Sequence, residues 1–163
     1  MNKVHFSSSG LEWCTPQGFF DELDKEFNFT LDVAATKDNA LCKDYYTAEM
    51  DGLKQPWNPK SGSVFCNPPY GREIIKWVRK AYNEARRYRA VPIVMLLPAR
   101  TDTSYFHDYI YNHAVIRFIR GRLRFTDSIG REYWPAPFPS MIVIYNISAS
   151  KKAWGNEKPE RSD

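Results

Sequence analysis

The amino-acid sequence predicts an α/β domain built on a largely parallel sheet. Short apolar runs recur at 29–33, 63–66, 93–97, 115–119 and 141–145, and amphipathic helical patterns separate the early ones. The run at 93–97, Ile-Val-Met-Leu-Leu, is apolar at every position, which suits a strand covered on both faces. A length of 163 residues, 43% hydrophobic and 15% aromatic, is enough for one packed domain, expected over 12–147.

Thr15-Pro16 opens the first helix, with Thr15 as cap and Pro16 at the first helical position, where its missing N–H costs nothing. Phe19, Phe20, Leu23 and Phe27 then draw one apolar stripe, predicting a helix over 16–26. Residues 29–33 alternate as a short strand. Ala34-Ala35 and the polar turn Thr36-Lys37-Asp38-Asn39 close it. From 40 to 62 the signals are weak, with Asp51-Gly52 and Pro56-Trp57-Asn58-Pro59 reading as turns. A strand over 63–66 stops at Asn67-Pro68-Pro69, and a helix is predicted over 72–89. Its apolar face is Ile74, Ile75, Trp77, Val78, Ala81, Tyr82 and Ala85. Pro92 introduces the strand at 93–97, and Asp102 or Thr103 can cap a further helix through 113. Strands at 115–119 and 141–145 flank a long Gly/Pro/aromatic segment. Residues 1–11 and 148–163 are expected to be flexible ends.

Composition removes several classes. No apolar run approaches the roughly 20 residues that span a bilayer. The Ser-rich start lacks a signal core, predicting a cytoplasmic protein. Cys14, Cys42 and Cys66 are widely spaced, and three scattered histidines complete no ligand pair, so neither a disulfide framework nor a metal site is expected. The net charge of +4 says less than its placement. Arg86, Arg87 and Arg89 cluster at one helix end, and Arg117, Arg120, Arg122, Arg124 and Arg131 crowd a short stretch, which suits phosphate contacts beside an active site and equally a solvated charged face.

In open α/β sheets, ligands bind outside the carboxyl ends of the strands. Asp32, Asn67 and Pro98 each fall at such an end. Asn67-Pro68-Pro69-Tyr70 is the most informative of these strings. An exocyclic amine conjugated to a planar ring is a poor nucleophile because its lone pair is delocalised. Two rigid acceptors on its protons localise the pair and aim it at a sulfonium methyl: the Asn67 side-chain carbonyl and the Pro68 backbone carbonyl. Tandem prolines stiffen the loop. Tyr70 offers a face for stacking an extruded base, and Gly71 leaves room where the helix begins.

The chain resembles the phage-type DNA N-6-adenine methyltransferase (Dam) family over roughly residues 12–147. The resemblance is carried by Trp13-Cys14-Thr15-Pro16, Leu31-Asp32-Val33-Ala34-Ala35, Asp51-Gly52-Leu53 with Trp57, and Asn67-Pro68-Pro69-Tyr70-Gly71. It continues in Leu97-Pro98-Ala99-Arg100-Thr101-Asp102-Thr103, Gly121-Arg122-Leu123-Arg124-Phe125 and Phe138-Pro139-Ser140. It implies a Rossmann-like methyltransferase fold, mostly parallel with an antiparallel C-terminal strand, S-adenosylmethionine as donor, and adenine in double-stranded DNA as acceptor. Asn67, Pro68, Pro69 and Tyr70 are then catalytic. Trp13, Thr15, Pro16, Asp32, Ala34 and Asp51 are the cofactor contacts. Arg72, Arg100, Arg122 and Arg124 are the DNA contacts.

Two departures stand out. Ala34-Ala35-Thr36 replaces the Gly-rich loop that follows the first strand in most methyltransferases, and the short 34–62 interval predicts a sheet abbreviated on one side. No insertion is large enough for a separate recognition domain. Residues 121–139, with Arg122, Arg124, Arg131, Tyr133 and Trp134, are the candidate for reading DNA, and equally suit a plain β-hairpin. Other acceptors remain open for the motif (DNA cytosine N4, RNA guanine, protein glutamine), as does a catalytically silent DNA-binding module.

Overall fold

The computed structural model describes residues 13–133 and 135–147. The flexible ends expected at 1–11 and 148–163, and Trp134, lie outside the described residues. Helix α1 is Gln17–Phe27 and α2 is Ile74–Arg87. The strands are β1 Phe29–Asp32, β2 Asp44–Tyr45, β3 Ser63–Cys66, β4 Ile93–Pro98, β5 Val115–Phe118 and β6 Ser140–Tyr145. They form one sheet in the order β2-β1-β3-β4-β6-β5. β2, β1, β3 and β4 pair parallel, and β6 runs antiparallel to both neighbours. The sheet is thus mostly parallel, and its reversed strand is the C-terminal one.

Side-chain alternation splits the core into two layers. Val64 and Cys66 of β3, Ile93, Met95 and Leu97 of β4, and Met141, Val143 and Tyr145 of β6 meet Trp77, Val78 and Ala81 of α2. Phe65, Val94, Leu96, Ile142 and Ile144 face the other way, onto Phe20, Leu23 and Phe27 of α1. Both faces are covered, which is why β4 and β6 are buried along their whole length.

Between β1 and β3 there is no helix, only turns and the two-residue β2, which the sequence does not announce. Trp57 fills the space against α2 instead. It is fully buried and packs on Trp77 with ring centroids 6.1 Å apart. Its indole N–H donates to the Gly52 carbonyl at 2.8 Å. Its backbone N–H donates to the buried Glu84 carboxylate at 2.8 Å, and Lys80 pairs with the same carboxylate at 3.0 Å. Gly52 must be glycine here, because a Cβ would lie 2.2 Å from the Val33 carbonyl oxygen.

Three local expectations change. Pro16, not Thr15, occupies the cap position of α1, and no side chain caps that helix. The helix predicted from 102 or 103 through 113 is present but shorter, helical over 104–110 and of π type at Phe106–Ile110, and the Thr103 hydroxyl donates to the Arg100 carbonyl. Arg117 is not a surface cation: it forms a two-pronged ion pair with Glu26 at 2.6 and 2.8 Å and lies over the Phe27 ring, tying β5 to α1.

Candidate active site

β1, β3 and β4 are parallel, so Asp32, Asn67 and Pro98 emerge on one edge of the sheet. A cavity opens there, lined by Asp32, Ala34, Asn39, Phe65, Asn67, Pro68 and Tyr70. Trp13 and Thr15 close it from the N-terminal segment.

The Asn67 amide is held from one side. Its Nδ2 donates to the Trp13 carbonyl at 2.6 Å and to the Thr15 hydroxyl at 3.0 Å. A backbone carbonyl can only accept, so this pairing fixes which end of the amide is nitrogen. The other end, Oδ1, is shielded from solvent and has no partner among the described residues. The Thr15 hydroxyl is therefore used on Asn67, which explains its absence from the α1 cap.

Trp13 is itself clamped. Its ring meets Phe125, Tyr133 and Phe138 edge-on, with centroids 5.4, 6.2 and 5.4 Å away. Cys14 and Thr126 exchange backbone hydrogen bonds of 3.1 and 3.0 Å. The 121–139 segment, expected as a DNA-reading element or plain hairpin, thus also braces the strand segment that holds Asn67. Within it, Arg131 is tied to Asp127 at 3.0 Å, while Arg122 and Arg124, like Arg120 just before it, are exposed.

Asp32 is 4% exposed. Its two oxygens accept long hydrogen bonds from the backbone N–H groups of Ala34 (3.3 Å) and Leu41 (3.4 Å). Burial outweighs these bonds and pushes the carboxyl up to about 6. Burial and the Asp32 charge also raise the Cys66 thiol, and push Cys42 up to about 12, so neither is a thiolate nucleophile near neutral pH.

Tyr70 stands between two spaces. Its hydroxyl donates to the Leu96 carbonyl at 3.2 Å, and its ring meets Phe125 and Phe138 edge-on. It lines the Asn67 cavity and also a second, more open one, shared with Trp13 and bordered by Arg72, Arg100, Tyr105 and Phe138. Gly71 follows at φ 133, which a side chain rarely adopts.

Not every predicted residue arrives. Pro16 caps α1 and does not line the cavity. Asp51 sits in a turn at φ 55, paired with Lys54 at 2.9 Å, and does not line it either. Arg86, Arg87 and Arg89 lie at the far end of α2, by the chain entering β4 and thus at the opposite sheet edge. There Arg86 and Arg87 cover the rings of Tyr82 and Tyr88. Conversely, Asn39 was legible only as a turn residue. It exchanges hydrogen bonds with Thr36 (2.7 and 3.2 Å) and reaches Cys14 Sγ at 3.5 Å, placing a polar amide on the cavity wall. An Asn three residues after a Thr was the available signal.

A cavity at the carboxyl edge of a mostly parallel sheet, lined by a buried strand-end carboxylate and an anchored amide, lies where open α/β proteins place their ligands. The description "DNA N-6-adenine-methyltransferase (Dam)" matches residues 6–157, and the chain belongs to that family. It is 34% identical over 122 residues to the DNA N-6-adenine-methyltransferase of Escherichia phage T1, an alignment covering 74% of this chain and 49% of the phage protein. It is also 39% identical over 66 residues to the putative methyltransferase YfdM of Escherichia coli K12, covering 37% of this chain and 72% of that protein. The chain thus spans about half the length of the phage relative. Among the described residues no helix is long and apolar enough to cross a membrane, and no cluster of three metal-ligating side chains occurs.

Proposed function

We propose that the chain transfers a methyl group from S-adenosylmethionine to N6 of adenine in double-stranded DNA, with the base turned out of the duplex into the space beside Tyr70. The domain responsible spans 12–147 and has a Rossmann-like fold that acts in the cytoplasm. The observation that carries this reading is the Asn67 amide, whose nitrogen is doubly anchored while its oxygen is buried and unpartnered.

The buried Asp32, the Ala34 turn and the Trp13–Thr15 segment fit the donor: a buried carboxylate that makes no ion pair among the described residues suits a cationic, polar ligand, and the small alanines leave room for it. When bound there, S-adenosylmethionine supplies an electrophilic methyl group on sulfur. The protein's work is done on the acceptor. Asn67 Oδ1 takes one N6 proton in a hydrogen bond and the Pro68 carbonyl takes the other. This draws the nitrogen lone pair out of conjugation. Neither group is a base, so the proton displaced by N–C bond formation leaves to water. Tyr70 holds the ring plane, its own hydroxyl being committed to Leu96. Arg72 and Arg100, at the mouth of the open cavity, with Arg122 and Arg124 on the bracing segment, neutralise backbone phosphates.

The test is to incubate plasmid DNA with the purified protein and S-adenosylmethionine and map modified bases by single-molecule sequencing. N6-methyladenine is the expected product. Marks on cytosine N4 would move the acceptor, and unmodified DNA would remove the reading.

A further inference from the structure

Asn67 can act on an amine only if its unpartnered oxygen is aimed, and the Thr15 hydroxyl bears on that aim. Thr15 is buried, and its hydroxyl accepts from Asn67 Nδ2 at 3.0 Å, beside the Trp13 carbonyl at 2.6 Å. The two anchors do different work. A carbonyl only accepts, so Trp13 decides which end of the amide is nitrogen. A hydroxyl can donate or accept, and cannot make that choice. What Thr15 adds is a second fixed point. One anchor leaves the amide free to swing about that bond, whereas two hold its plane and with it the direction of Oδ1.

Thr15 is itself held from both sides. Before it, Cys14 exchanges backbone hydrogen bonds with Thr126 at 3.1 and 3.0 Å. After it, the Pro16 carbonyl accepts from the Phe20 N–H at 3.0 Å in the first turn of α1. The β-branched side chain is stiff at χ1, and no side chain caps α1, so the hydroxyl is not serving that helix. We propose that Thr15 is a positioning residue for the acceptor, whose hydroxyl fixes the plane of the Asn67 amide so that Oδ1 meets the amine proton. This rests on the reading above, in which Asn67 acts on that amine. Thr15 also lines the cavity, where the resemblance implied a donor contact. The two roles part in measurement: a donor contact sets S-adenosylmethionine affinity, whereas a positioning residue sets the rate of transfer once donor and DNA are bound.

The experiment compares wild type with Thr15→Val, which keeps the shape and removes the hydroxyl, and Thr15→Ser, which keeps the hydroxyl. The single-turnover rate is measured at saturating S-adenosylmethionine and duplex DNA, with S-adenosylmethionine affinity by calorimetry and the melting temperature on the same preparations. Thr15→Val should slow transfer at least about tenfold while affinity stays within about twofold of wild type, and Thr15→Ser should recover the rate to within about threefold. Should valine disturb folding, Thr15→Ala carries the same expectation with a smaller side chain. A loss of affinity that accounts for the whole loss in kcat/KM, with the saturated rate unchanged, would overturn the assignment in favour of a donor contact. Equal defects in the valine and serine variants, tracking a fall in melting temperature, would overturn it in favour of packing. Either result leaves the adenine reading intact. Failure of the wild type to methylate any duplex would remove that reading, and this inference with it.

Discussion

Two regions of the molecule lie within the match to one family, yet do different physical work. Around the β1 and β3 ends, polar groups are held by the fold but not satisfied by it: among the described residues Asp32 has two long backbone donors and Asn67 Oδ1 has none. In the segment from Asp51 to Trp57 the named polar groups have found partners within the protein. Asp51 pairs with Lys54, the Trp57 indole with Gly52, and the Trp57 amide with Glu84. Resemblance marks both regions alike. The difference is that only the first keeps buried polar atoms in need of a partner, which is the cost a site pays in stability and a scaffold avoids.

The largest effect that would break this comparison belongs to Asn67. Asn67→Ala should lower kcat by at least about a thousandfold, or about 4 kcal/mol of barrier, while the melting temperature and S-adenosylmethionine affinity stay near wild type. Radiolabelled methyl transfer and calorimetry on the same preparation measure both. Wild-type-like turnover would remove Asn67 from the chemistry.

Trp57 should show the opposite profile. Trp57→Phe leaves a void beside Trp77 and removes the donor to Gly52, costing about 2–3 kcal/mol of stability by denaturant unfolding. Activity per folded molecule should be unchanged. A catalytic defect without a stability loss would show that this region does reach the site.

Asp32 gives a pH-dependent version of the contrast. Its carboxyl stands at about 6 in the folded chain against 3.8 for a free group, so the folded state binds that proton more tightly than the unfolded state. Its contribution to stability is therefore complete below about pH 3.8 and is lost as pH rises through about 6, on the order of 3 kcal/mol in all. Asp32→Asn should flatten the stability profile across that window. S-adenosylmethionine binding should strengthen over the same rise in pH in wild type and not in the variant. Parallel curves for the two proteins would deny Asp32 its role.

How much of this was legible depends on the sequence distance a feature spans. The strands at 63–66, 93–97 and 141–145 and the Asn67 loop after β3 follow from local pattern, because apolar periodicity and tandem prolines act within a few residues. The partner that orients Asn67 lies 54 residues away at Trp13, and the partner of Arg117 lies 91 residues away at Glu26. Nothing local distinguishes an arginine that will stack on Phe27 from Arg122 or Arg124, which stay exposed. Nor does a Thr-Pro pair reveal that its hydroxyl will serve an asparagine and leave the helix uncapped. Removing the two exposed cations tests that division. Arg122→Ala with Arg124→Ala should weaken DNA binding several-fold and lower its salt dependence by about two charges, whereas Arg117→Ala should act through stability.

The smallest effect is the sharpest test, because it is expected where resemblance implied a cofactor contact. Asp51 adopts φ 55, a conformation that asparagine also tolerates, so Asp51→Asn preserves the turn while removing the charge. Its Lys54 partner is mostly exposed, and such a pair contributes within about 0.5 kcal/mol. Stability, S-adenosylmethionine affinity and kcat should therefore all remain within about twofold of wild type, as for other substitutions away from buried partners. The matching change at Asp32 removes a carboxylate whose partners among the described residues are two backbone N–H donors. If Asp51→Asn instead weakened S-adenosylmethionine about tenfold in calorimetry, the turn would have to swing its carboxylate toward the cavity when ligand binds. Gly52, whose missing Cβ lets the turn approach Val33, would then be its pivot.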